Sequence, residues 1–90
     1  MNAVSDLRVP TLKSMFRFQW EPAQSAHVLL YPEGMVQLST SASEILKRVD
    51  GQHSIATIID ELKAAFGGAP LDDDVRNFLN QAEANGWITY

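Results

Sequence analysis

The sequence predicts an α+β fold: an N-terminal three-stranded antiparallel sheet followed by a three-helix bundle. Three observations carry this. Phe16-Arg17-Phe18-Gln19-Trp20 alternates aromatic and polar side chains, the two-residue period of a half-buried strand. Two further strand-like runs, Ala26 to Tyr31 and Met35 to Leu38, are separated by turn residues. From residue 39 the period changes to 3.6 and stays helical almost to the end. Ninety residues allow one domain. It is read as residues 15–90, with residues 1–14 as a flexible arm, because Asp6, Arg8, Pro10 and Lys13 show no sustained period.

Each element has a local reason. Glu21-Pro22-Ala23-Gln24-Ser25 connects the first two strands. Pro32-Glu33-Gly34 reads as a three-residue hairpin loop, with Pro32 preset for the first turn position and Gly34 free to take a positive φ in a bulge. That loop places Tyr31 opposite Met35, Leu30 opposite Val36, Leu29 opposite Gln37 and Val28 opposite Leu38. Val28, Leu30, Val36 and Leu38 then share one apolar face. The first helix opens with the Ser41–Glu44 capping-box spacing, or with Ser39 as the cap, and carries Ala42, Ile45, Leu46 and Val49 on one stripe. Gly51 ends it. The second starts at Ser54, buries Ile55, Ile58, Ile59, Leu62 and Phe66, and stops at Gly67-Gly68. The third starts near Asp72, buries Val75, Phe78, Leu79 and Ala82, and stops at Asn85-Gly86. Trp87-Ile88-Thr89-Tyr90 is extended and pairs or packs as a short strand. The aromatics, Trp20 and Trp87 included, read as core by their spacing.

Composition narrows function. There is no cysteine, so a disulfide scaffold, a Cys-ligated zinc site, an iron–sulfur cluster bound by this chain and thiol nucleophiles are excluded. No run approaches ~18 apolar residues, so no span of a membrane is expected. Met1 to Leu7 lacks the basic start and apolar core of a signal peptide, which makes the cytoplasm the expected location. The net charge of −4 is opposite in sign to a general nucleic-acid binder. The acids are concentrated in residues 46–90, seven acidic against four basic.

Chemical motifs are sparse. Asp72-Asp73-Asp74 has the look of a metal cluster, but three carboxylates in a first helical turn already complement the helix dipole, and no calcium-loop spacing follows. His27 and His53 lie in no zinc frame, and no nucleophile elbow or phosphate-cradling glycine loop is present. Catalytic, metal and cofactor sites are therefore expected to be absent. Three strands and three helices also compose a winged helix, which makes a DNA-binding winged-helix protein the alternative. Its recognition helix would present Asp72-Asp73-Asp74 to phosphate with Arg76 as its one cation, so charge opposes it. What remains is the third strand, which has a free edge unless the C-terminal tail covers it. Such an edge is a hazard or a docking site for a peptide strand. With Tyr31 and Met35 closing the hairpin, the N–H groups of Val36 and Leu38 would point to that edge and Gln37 inward.

The run His27-Val28-Leu29-Leu30-Tyr31-Pro32-Glu33-Gly34, then Leu38, Ala42-x-x-Ile45-Leu46, Asp50-Gly51, Asp74-Val75-x-x-Phe78-Leu79 and Gly86-Trp87-Ile88, resembles the coenzyme PQQ synthesis protein D (PqqD) family. The likeness runs from about Pro10 to Tyr90. Ser39 stands where Asn is common, and His53 where a basic residue is common. The resemblance implies a winged-helix-like RiPP recognition element. It implies a peptide chaperone in pyrroloquinoline quinone biosynthesis that binds the precursor peptide PqqA and presents it to the radical SAM enzyme PqqE. It also implies a peptide groove between the third strand and the third helix. Here that is Met35, Val36, Gln37, Leu38 and Ser39 with Val75, Arg76, Leu79 and Asn80. As the one cation on the third helix, Arg76 is expected either to attract an acidic leader residue or to pair with Asp72 or Asp73. The expected state is a monomer in dilute solution, with strand-mediated or swapped dimers in a crystal through hinges at Glu21–Ser25 and Ser39–Thr40.

Overall fold

The computed structural model describes residues 5–90. Strand β2 (Arg17–Glu21) pairs antiparallel with β3 (Ala26–Tyr31), and β3 with β4 (Gly34–Gln37), giving a sheet of order β2-β3-β4. Three helices follow: α1 (Thr40–Leu46), α2 (Ile55–Ala65) and α3 (Asp72–Ala84). Ser39, rather than Ser41, is the N-cap of α1, its Oγ accepting from the Ala42 N–H at 3.1 Å. Ser54 caps α2 in the same way. The N-cap position of α3, Leu71, makes no side-chain cap, and the first turn holds Asp72, Asp73 and Asp74. Its stabilisation there is electrostatic, between carboxylates and the helix dipole.

The β3–β4 register differs by one residue from the sequence expectation. Tyr31 pairs with Gly34, Leu30 with Met35, Leu29 with Val36 and Val28 with Gln37. The loop is the two residues Pro32 and Glu33, and Gly34 is not at positive φ. Its missing side chain has another use: a Cβ there would stand 3.3 Å from the Tyr31 hydroxyl oxygen, so the tyrosine lies across the glycine. The third strand decides this register. Phe18 of β2 faces Leu29, and Leu29 faces Val36, forming one apolar row against the helices. The expected register would have put Gln37 in that row. Val28, on the opposite face, is also fully buried, outside the main core cluster.

That cluster joins Leu29 and Leu38 to Ala42, Ile45, Leu46 and Val49, to Ile55, Ile58, Ile59 and Leu62 of α2, and to Val75, Leu79 and Ala82 of α3. The first helix is shorter than expected: α1 ends at Leu46 rather than at Gly51, and Val49 is buried beyond its end. The buried stripes otherwise follow the periodicity, with two exceptions. Phe66 is 50% exposed and Phe78 is only half-buried. Trp20, expected in the core, is 52% exposed.

Residues 1–4 of the expected arm lie outside the described residues, and the rest of it is not loose. A short 3₁₀ turn (Ser5–Leu7) leads to β1 (Thr11–Leu12), which pairs antiparallel with the C-terminal β5 (Ile88–Thr89). Ile55 N–H donates to the Arg8 carbonyl at 2.9 Å, and Lys13 N–H to the Trp87 carbonyl at 2.9 Å. Pro10 is fully buried. The Arg76 guanidinium is held by Asp6 through two bonds, at 3.1 and 2.8 Å. A segment this short has no period to read; its order comes from long-range pairing. Arg76→Glu should therefore lower stability by turning an ion pair into a repulsion, visible as a reduced denaturation midpoint. An unchanged midpoint would mean that the Asp6 contact contributes nothing in solution.

Because the tail pairs with β1, it does not cover β4. Among the described residues the outer side of β4 has no strand partner.

Candidate functional site

Two features meet where β4 runs into α1. The first is the free edge. Leu38 N–H donates to the His27 carbonyl at 3.0 Å, so His27 and Leu38 form a hydrogen-bonded pair. Bonded and non-bonded pairs alternate, so Val36 also bonds inward, and the N–H groups of Met35 and Gln37 point to the open side. This reverses the assignment made from the expected register. The cause is the one-residue shift.

The second is an open groove of about 770 Å³. That is within the range of pockets that hold specific ligands, ~300–1,000 Å³. Ser39 and the first turns of α1 form one wall, Leu62 and Phe66 of the α2 end another, and Leu71, Asp74, Val75 and Phe78 the third. The surface is largely apolar: Ala42, Ile45, Leu62, Phe66, Leu71, Val75 and Phe78. Phe66 reaches it because the chain leaves α2 there, into Gly67 and Gly68, both at positive φ.

Of the nine residues anticipated for peptide contact, Ser39 and Val75 line this groove. Met35 and Gln37 are exposed on the edge strand, whereas Val36 and Leu38 turn their side chains to the core. Leu79 is 0% exposed and lies in the core cluster, so it has no exposed edge to offer. Arg76 and Asn80 stand off the groove, and Arg76 is engaged by Asp6 and by Asp73, the latter at 3.2 Å. Sequence reasoning missed Ile45, Phe66, Leu71, Asp74 and Phe78. The signal was present in α3: Leu71, Val75 and Phe78 are spaced four and three apart, on one helical face.

The two histidines have structural partners. His27 stacks on Phe18, with ring centroids 4.9 Å apart, and meets Trp20 edge-on at 5.2 Å. His53 bridges Asp50 on Nδ1 (2.9 Å) and Glu61 on Nε2 (3.0 Å); Glu61 also receives Arg48, at 3.2 Å. The hydrogen bond to Asp50, which accepts from the His53 ring, is the main reason that the His53 pKa is raised, with Glu61 adding to it. A raised imidazole pKa contributes stability that is fully present below the ordinary value, about 6.5, and is lost as pH rises through the folded-state value. The stability gap between the native chain and His53→Gln should thus be larger near pH ~6 than near pH ~9. A gap independent of pH would show that the bridge carries no charge. Among the described residues no group of three or more His, Asp or Glu side chains could hold a metal ion. Among the described residues no helix is long and apolar enough to cross a membrane.

Comparison with known proteins agrees with this architecture. Residues 26–88 match the family model for coenzyme PQQ synthesis protein D. The chain is 54% identical over 81 residues to the PqqA binding protein of Pseudomonas paraeruginosa, covering 89% of this chain and 88% of that protein. It is 52% identical over 83 residues to the PqqA binding protein of Pseudomonas entomophila, covering 91% of each. The fold matches the solution NMR structure of the PqqD truncation of Methylobacterium extorquens PqqCD, a functional and stand-alone RiPP recognition element. The TM-score is 0.78 and the identity 26%, over 96% of this chain and 94% of that one. With an edge strand, an apolar groove and a family model matched across most of its length, the chain belongs to the coenzyme PQQ synthesis protein D family.

Proposed function

We propose that this chain is a non-catalytic peptide chaperone of PQQ biosynthesis that binds the precursor peptide PqqA and presents it to the radical SAM enzyme PqqE. The observation that carries the reading is the free β4 edge beside an apolar groove. PqqA adds as a strand to β4. Its main chain bonds the outward groups of Met35 and Gln37, while Val36 and Leu38 hold the strand to the core and Ser39 leads the peptide toward the groove. Backbone bonds supply affinity, and side-chain pockets supply sequence preference. Val75 and Phe78 line the groove that takes the peptide's apolar side chains. The names of the relatives, PqqA binding proteins, support the ligand. The chain acts as a cytoplasmic monomer and needs neither cofactor nor nucleic acid.

Titration of the chain with PqqA and, separately, with duplex DNA at two salt concentrations tests this. Saturable 1:1 binding of PqqA without salt-sensitive DNA binding is expected. Strong, salt-dependent DNA binding without PqqA binding would overturn it.

A further inference from the structure

We propose that Asp74 selects a cationic side chain, Lys or Arg, on the peptide segment that enters the groove. This inference rests on the peptide-binding reading above and fixes the charge that the groove accepts.

The three carboxylates that open α3 are not equivalent. Asp72 is bound by Lys63 at 3.1 Å, and Asp73 by Arg76 at 3.2 Å. Asp74 has no hydrogen-bond or ion-pair partner among the described residues, and it is the one of the three that lines the groove. The other acid on the wall, Glu44, already has two cations, Lys47 at 2.8 Å and Arg48 at 3.2 Å. No Lys, Arg or His lines the groove among the described residues. Asp74 is exposed, so it stands at the rim of the groove, where water and salt screen its charge but the absence of any cation on the lining leaves it to bias what enters.

The groove therefore has one sign. A peptide that sets its apolar side chains against Val75 and Phe78 brings its neighbouring side chain within reach of Asp74. A cation there gains a partner, and an acid there meets repulsion, which turns one residue into a filter against the wrong sequence. Of the two readings of Arg76, an acidic leader residue or a pair with Asp72 or Asp73, the structure shows the pair with Asp73, joined by Asp6.

Asp73 supplies the control, because Asp73→Asn and Asp74→Asn remove the same charge from the same helix turn. The probes are PqqA and a set of PqqA peptides in which each Lys or Arg is replaced singly by Gln. Asp74→Asn should weaken PqqA binding about 3- to 5-fold in low salt and by less at high salt, as for a partly exposed ion pair. Asp73→Asn should leave affinity unchanged, and Asp74→Glu should restore most of it. One peptide replacement should cost the native chain a similar factor and cost Asp74→Asn nothing further. Equal losses in Asp73→Asn and Asp74→Asn, or no peptide cation coupled to Asp74, would overturn the inference while leaving peptide binding standing. Failure of the native chain to bind PqqA would overturn both.

Discussion

Leu79→Ala is expected to lower the unfolding free energy by about 2–5 kcal/mol, the range for truncating a fully enclosed leucine that leaves a cavity. Leu79 has no exposed surface and sits among α3, α2 and sheet residues of the core. Denaturant titration measures the loss. Asn80→Ala, one residue on and exposed, should change stability by no more than about 0.5 kcal/mol. The contrast separates a core residue from a peptide contact. A Leu79→Ala chain of native stability but weakened PqqA binding would move Leu79 back to the surface.

The second large effect is on binding. Gln37→Pro removes an N–H that faces away from β3, and proline is tolerated on an edge strand with that orientation. The chain should fold. PqqA binding should fall roughly 5- to 150-fold, the equivalent of the ~1–3 kcal/mol for a peptide carbonyl left without its donor. Val36→Pro removes an inward N–H from the β3–β4 ladder instead and should cost stability first. Calorimetric titration of PqqA with both variants, alongside their melting curves, distinguishes the two directions. A Gln37→Pro chain that melts normally and binds PqqA with native affinity would remove the edge from the binding mechanism.

The helices were legible from the sequence because each carries its own signals. Ser54 before Ile55, the i, i+3, i+4 stripes and the glycines after α2 and α3 are local, and packing followed them; Gly51 misled for α1, which ends at Leu46. The sheet was legible as three strands but not in register. The turn Pro32-Glu33-Gly34 admits a two- or a three-residue loop, and only the row Phe18–Leu29–Val36, assembled from three strands, chooses between them. That single residue of register changed which amides face outward. The N-terminal segment was illegible for a related reason. Thr11 and Leu12 are fixed by β5, some 75 residues away, and the segment before them by Asp6 holding Arg76, and nothing in the segment itself announces either contact. The candidate site was half legible. Its strand edge was visible in the hairpin. Its groove was not, because Phe66 and Phe78 carry the spacing of core residues and only the tertiary arrangement leaves them partly open.

The charges of α3 follow the same division. Three adjacent aspartates announce a helix start and nothing more. Lys63 and Arg76 then occupy two of them, and the groove is left with the third.

Amide hydrogen exchange along β4, with and without PqqA, tests the central claim most directly. In the free chain Val36 and Leu38 should exchange slowly, bonded to β3, and Met35 and Gln37 quickly. On adding PqqA, Met35 and Gln37 should become protected while Val36 and Leu38 stay slow. Met35 and Gln37 already protected in the free chain, or still fast in the presence of saturating PqqA, would contradict strand addition at β4.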